Sequence, residues 1–413
     1  MIYVHVPFCR SFCTYCDFYS EIACKGKDAA AIEVWADGVC EEVAARRDEI
    51  GATLDLDTLY IGGGTPSVLP LSVLRQVISC INAAASGEPF APLPPRTWPT
   101  QKTSANGTSR RLPPNEPTQH RYSEFTIEVN PEDVVERGAE YVRGLLDLGV
   151  TRISMGVQSL DDNVLRWMNR RHSAAHARLA FQMLRQAQGE ISSQDLRPVS
   201  GGSTPYEPPR PNGLSAFSSE KARPGRRSDE RVNPTHPCDI SIDLIIGVPG
   251  MTREILGATL EEVIGWRPEH ISAYQLSIEE GSALARMIEN GEVRELDEEE
   301  CRAQYELVCQ RLRDAGYHHY EISNWALPGH EAIHNSAYWT RHPYVGLGPG
   351  AHSLIGNRRS WNSQVLSGWT AEGEDLTPEQ IHTEEVMLLA RTDRGPIPES
   401  DWFIADEIIP SLL

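Results

Sequence analysis

The sequence predicts an α/β protein. Residues 1–284 read as a parallel sheet of six strand–helix units curled into a partial (β/α)6, TIM-like barrel, 285–370 as an α+β extension, and 371–413 as part of a helical domain. Three observations predict it. Short apolar runs alternate with stretches of helical period. Crossovers between parallel strands are right-handed almost without exception, which turns such a sheet toward a barrel. Finally, each unusual patch of sequence follows a strand, at the edge where parallel α/β folds bind ligands.

"MIYVHVPF" reads as the first strand, and in the helical "AIEVWADGVCEEVAARRDEI" Ile32, Trp35, Val39, Val43 and Ala44 recur at helical spacing. "LDTLYIGG" is a strand that runs into glycines, followed by the helix "LSVLRQVISCINAA". "EFTIEVNPE" is a strand, and "GAEYVRGLLDLG" a helix closed by Gly149. "VTRISMGVQS" is a strand and "NVLRWMNRRHSAAHARLAFQMLRQA" is helical. "DISIDLIIGVPG", "TREILGATLEEVIGW" and "HISAYQLSI" complete the series as strand, helix and strand. From about residue 285 a helix leads into short, aromatic-rich strand-like pieces and a last helix near 378–391. Two segments, 86–122 and 192–237, are rich in Pro, Ser, Gly and Arg and poor in aliphatic residues. Such composition buries too little apolar surface to offset the entropy of ordering, so both are expected to be disordered surface insertions.

The chain has 413 residues, with 58 Asp+Glu against 38 Lys+Arg, a formal charge of −20. That balance argues against a nucleic-acid surface, which needs basic stripes. No run approaches the ~20 apolar residues that cross a bilayer, and "MIYVHVPFC" lacks the layout of a signal peptide, so a cytoplasmic location is expected. An odd count of nine cysteines then points to metal or redox chemistry before disulfides.

Three of those cysteines stand together in "CRSFCTYCDF", as Cys9-x3-Cys13-x2-Cys16. A closed zinc site needs four protein ligands, and no second half-site follows nearby. A cubane iron–sulfur cluster takes four ligands, so three thiolates leave one iron open to a small molecule. The glycines of "GGGTPS", Gly62 to Ser67, would let the backbone approach a ligand closely. Cys40, Cys80, Cys238, Cys301 and Cys309 show no ligand spacing and read as ordinary thiols.

The CxxxCxxC spacing with Tyr15 before the third cysteine resembles the signature of radical S-adenosylmethionine (SAM) proteins. "IYVHVPFCRSFCTYCDF", "YIGGGTPS", "EVNPE", "ISMGVQS", "IDLIIGVPGMT", "ISAYQLSIEEG", "YEISNWALPGHEAIHN" and "YVGLGPGAHS" are similar to its oxygen-independent coproporphyrinogen oxidase-like subgroup. The resemblance implies a radical SAM barrel and a [4Fe-4S] cluster on Cys9, Cys13 and Cys16, with SAM on the open iron. It places Tyr3, Tyr15, Gly63, Gly64, Thr65, Glu128, Gln158, Arg170 and Asp243 around SAM. Glu128, Gln158 and Asp243 suit hydroxyl or amino groups, and Arg170 suits a carboxylate. The subgroup usually ends in a helical domain, of which "EEVMLLARTDRGPIPESDWF" begins the match, so a truncated version is expected here.

The subgroup holds porphyrinogen oxidases and haem chaperones. Phe18 stands where the oxidase pattern has a further cysteine, only eight residues precede Cys9, and His334-Asn335-Ser336-Ala337-Tyr338-Trp339 fits the chaperone pattern HNxxYW. A chaperone is therefore expected, with haem bound by His334, Asn335, Tyr338 and Trp339 and passed to acceptor proteins, respiratory enzymes at the membrane among them. The alternative is a coproporphyrinogen oxidase of porphyrin biosynthesis. If the segments after the barrel cover its C-terminal mouth, His334 faces the same side as the three cysteines.

Overall fold

The computed structural model describes residues 1–16, 19–22, 28–86, 122–189 and 238–413. The six predicted strands are all present: β1 (Ile2–Val6), β2 (Thr58–Gly63), β3 (Glu124–Val129), β4 (Arg152–Gln158), β5 (Asp239–Ile246) and β6 (His270–Gln275). They pair parallel in sequence order. Three strands from the later region join the same sheet: β7 (His318–Glu321), β8 (Asn324–Ala326) and β9 (Val345–Leu347). The nine-stranded order is β9-β1-β2-β3-β4-β5-β6-β8-β7, with β9 parallel to β1 and the β8 and β7 pairings antiparallel. The extension therefore continues the barrel sheet at both edges.

The strands alternate with period two, and the alternation assigns their faces. Val4, Ile61, Ile127, Ile153, Ile242 and Ile271 are fully buried in the apolar core beneath the helices, together with Trp35 and Val39 of the Asp28–Ala45 helix. The intervening residues, Tyr60, Glu128, Ser154, Asp243 and Tyr274 among them, line the barrel lumen. A polar lumen inside an apolar shell marks the barrel as a binding vessel.

The two predicted insertions fall almost wholly outside the described residues. At their described ends, Ser86 terminates the Leu71–Ala85 helix, and Tyr122 belongs to the core, donating to Asn82 Oδ1 at 2.8 Å. Cys40 and Cys80 are not ordinary thiols: they form a disulfide across a Cα–Cα distance of 5.7 Å, joining the Asp28–Ala45 and Leu71–Ala85 helices. A separation of 40 residues leaves no local spacing from which that pairing can be read.

The position of His334 also differs from expectation. The Ile333–Tyr338 helix closes the barrel at the strands' N-terminal ends, opposite the cysteines. Glu124, at the start of β3, accepts from the backbone N–H groups of Ile333 and His334 at 3.0 and 2.9 Å. Arg152, at the start of β4, pairs with Glu124 and Asp239, each at 3.1 Å, and donates to the His330 carbonyl at 2.9 Å. This buried network fastens the helix to the barrel floor. Sequence order shows that the motif follows the strands but not which end of them it covers.

Candidate functional site

The cysteine loop leaves the C-terminal end of β1 and is pinned from two sides. On one side Asn169 donates to the Phe12 carbonyl at 2.7 Å, and the Thr14 hydroxyl donates to the Trp167 carbonyl at 2.9 Å. On the other, the backbone N–H groups of Gly64 and Thr65 donate to the carbonyls of Val6 and Phe8, both at 2.8 Å. Gly64 is required by this contact, since a Cβ there would lie 2.8 Å from the Phe8 carbonyl and 3.1 Å from Cys9 Sγ. Gly63 adopts φ 108°, a region that L side chains rarely enter. The glycine run therefore seats the cysteine loop as well as opening the backbone to a ligand.

Cys9, Cys13 and Cys16 line one wall of a cavity of about 600 Å³ at the strand ends. Cys9 Sγ lies 3.4 Å from the Thr65 hydroxyl, and Arg170 Nη1 donates to Cys13 Sγ at 3.2 Å. Burial raises the Cys9 thiol pKa against the pull of its Thr65 bond. Tyr15, Gly63, Gly64, Thr65, Glu128, Gln158, Arg170 and Asp243 line the same cavity. Tyr3 does not. It faces the lower lumen beside His334, its hydroxyl hydrogen-bonded to His5 Nδ1 at 3.1 Å. Tyr60, Ser154 and Tyr274 line the cavity without having been expected there. Their signal was the alternation itself, since Tyr60 stands two residues before Gly62 and Ser154 two before Gly156 on inward-facing positions.

His334 is 1% exposed, with Nδ1 bonded to the Thr58 hydroxyl at 2.8 Å and Nε2 to the Tyr338 hydroxyl at 3.1 Å. Burial lowers its pKa to about 3, so the ring is neutral. Its ring centroid stands 5.2 Å from that of Tyr60, whose hydroxyl donates to Glu128 at 2.8 Å. One side-chain path thus runs from the barrel floor to the upper cavity. Asn335 and Tyr338 line the lower lumen with His334, whereas Trp339 caps the C-terminus of their helix.

The residues present fit a [4Fe-4S] cluster with SAM. Three thiols converge on this cavity, and among the residues that line it with them Gln158 Oε1 and Arg170 Nε are buried without a partner. Unpaired buried polar atoms of this kind ask for a ligand. Two carboxyl groups face the same space. Glu128 is pushed up to about 7 by burial, while Asp243, also raised by burial, accepts from the Ser154 hydroxyl at 2.7 Å.

The model of the "Radical SAM superfamily" matches residues 3–196. "Heme chaperone HemW" of Mycobacterium tuberculosis is 29% identical over 406 residues, 95% of this chain and 82% of its own length. That of Bacillus subtilis is 27% identical over 95% of this chain and 83% of its own. Residues 3–196 form a radical SAM domain. The bovine "Radical S-adenosyl methionine domain-containing protein 1, mitochondrial" is 27% identical over 99% of this chain and 71% of its own length. In fold, the chain resembles the coproporphyrinogen III oxidase HemN of Escherichia coli, with a TM-score of 0.62 at 18% identity over 94% of this chain and 74% of that one. Among the described residues no helix is long and apolar enough to cross a membrane.

With its cluster and SAM bound, a radical SAM site supplies one-electron radical chemistry. The chain's own contribution is positional. Cys9, Cys13 and Cys16 would be the ligands for iron, with Arg170 setting a cation beside Cys13. Toward the polar groups of SAM, Gln158 would offer an acceptor, Arg170 Nε a donor, and Glu128 and Asp243 further hydrogen bonds.

Glu128 carries a pH signature. Its ordinary value is 4.5 and the fold holds it at about 7. Between those values the unfolded chain has released the proton and the folded chain keeps it, so stability falls as pH rises across this window. Glu128→Gln is expected to gain stability over the parent as pH rises from 4.5 to 7, by up to about 3 kcal/mol. Urea midpoints at pH 5 and 7.5 measure this, and an unchanged difference between the two proteins would contradict it.

Proposed function

We propose that this chain is a haem chaperone. It binds a [4Fe-4S] cluster and SAM in the upper cavity, binds haem, and delivers haem to acceptor proteins. The likeness to HemW proteins along 95% of the chain carries this reading. Phe18 in place of a further cysteine supports it over an oxidase.

The Ile333–Tyr338 helix with Trp339 is the proposed haem element. Both ring nitrogens of His334 are engaged in the fold described, so ligation of iron by Nε2 requires its bond to Tyr338 to open. Two variants test this in anaerobic haem titrations read by absorption. The parent is expected to take up about one haem per chain through one axial histidine. His334→Ala should lose it, and Tyr338→Phe, which frees Nε2, should keep or tighten it. A His334→Ala protein that binds haem like the parent would move the ligand elsewhere. SAM-dependent release of carbon dioxide from coproporphyrinogen, without stable haem binding, would replace the chaperone reading with the oxidase.

A further inference from the structure

Away from the barrel lumen, three metal-ligating side chains from distant parts of the chain meet. Cys309 comes from the Glu298–Asp314 helix, His319 from β7 and Glu399 from the Glu399–Ile404 turn. Their sulfur, ring nitrogen and carboxylate oxygen lie within 4.8 Å of one another.

The imidazole between them is fixed. It stacks on Trp325 with centroids 4.0 Å apart and planes 12° from parallel, and it meets Trp402 edge-on at 4.4 Å. Its Nδ1 lies 2.9 Å from Glu399 Oε1, and its Nε2 lies 3.4 Å from the Ile322 carbonyl oxygen. A neutral imidazole carries one N–H, so with oxygens at both nitrogens one lone pair faces another. A second proton would satisfy both contacts but would bury a cation between two indoles. A metal ion between Nδ1 and Glu399 also satisfies both. Nε2–H then donates to the Ile322 carbonyl, the outer partner that metal-bound histidines ordinarily have.

Arg313 also reaches Glu399 Oε1, at 2.7 Å, from one turn beyond Cys309. Its side chain is 56% exposed, so it can swing into solvent. The Tyr305 hydroxyl, one turn before Cys309, donates to the Ile322 carbonyl at 2.9 Å and supports the same corner.

We propose that Cys309, His319 and Glu399 form a site for a divalent transition cation of the zinc type, with solvent in the fourth position. Thiolate, imidazole and carboxylate are the donors that zinc takes. The ion would clip the C-terminal segment, through Glu399, to the sheet edge and to the helix that carries Cys309.

The test uses the full chain with its cluster loaded, so that Cys9, Cys13 and Cys16 are occupied. Zinc chloride is added, the protein is desalted, and zinc and iron are counted by mass spectrometry. Affinity is read by competition with a chromophoric chelator. The parent is expected to retain about one zinc per chain, and Cys309→Ser and Glu399→Gln are each expected to bind it at least about tenfold more weakly. Neither variant disturbs the tryptophan stack, so both should fold. Added zinc should also raise the melting temperature of the parent and not that of Cys309→Ser. No retained zinc, or equal retention in all three proteins, would overturn the proposal and leave His319, Glu399 and Arg313 as an ion-pair network.

Discussion

Replacing Cys9, Cys13 or Cys16 by alanine is expected to strip the protein of its cluster. Anaerobically reconstituted parent should hold about four irons per chain, and each variant close to none. Each thiol occupies the same cavity wall, and Arg170 and Thr65 are already placed against two of them. Loss of one ligand leaves two thiolates, too few to hold a cubane whose fourth iron faces a small molecule. Cys238→Ala and Cys301→Ala should keep full iron content, since neither residue lines the cavity. Cys24→Ala decides whether three thiols suffice. Cys24 lies outside the described residues, and loss of iron in that variant would supply a fourth protein ligand and close the position assigned to SAM.

The second large effect is on stability. Arg152→Met is expected to destabilise the fold by about 3–5 kcal/mol, the usual cost of leaving buried charges without their partner. Arg152 is 5% exposed and Glu124 4%, and Asp239 and the Ile333–Tyr338 helix hang on the same network. Arg152→Met combined with Glu124→Gln and Asp239→Asn should recover much of the loss, because the orphaned charges are gone. Urea unfolding of the two variants gives the comparison. A single-variant cost below about 1 kcal/mol would mean that the floor of the barrel does not depend on this cation.

The barrel was legible in the sequence because its signal is local. Period-two strands such as "FTIEV" alternate with helices, and the residues after each strand converge on one edge whatever the details of the turns. The family resemblance is what pointed to Glu128, Gln158, Arg170 and Asp243, and all four line the cavity. What was missed depends on contacts between distant segments. Val345–Leu347 is three residues long, too short to show a period, yet it extends the sheet beside β1. Tyr3 is matched by the family pattern, but it sits directly opposite Tyr60 in register, one layer below the glycines, and so faces the lower lumen. His334 would face the cysteines only if its segment covered the C-terminal mouth of the barrel, and the Glu124–Arg152 network holds it at the other end. Cys40 with Cys80, and Cys309 with His319 and Glu399, meet only through the fold.

SAM binding to the cluster-loaded chain tests the central claim most directly. The claim is that the cavity beside Cys9, Cys13 and Cys16 receives SAM on the open iron, held by Gln158, Arg170, Glu128 and Asp243. The measurement is the electron paramagnetic resonance spectrum of the reduced protein during an anaerobic SAM titration, on the parent and on Asp243→Ala. The parent spectrum should change and saturate at about one SAM per cluster, and Asp243→Ala should need a higher concentration to reach the same end point. A parent spectrum that does not respond to SAM, or an Asp243→Ala protein that titrates like the parent, would contradict it.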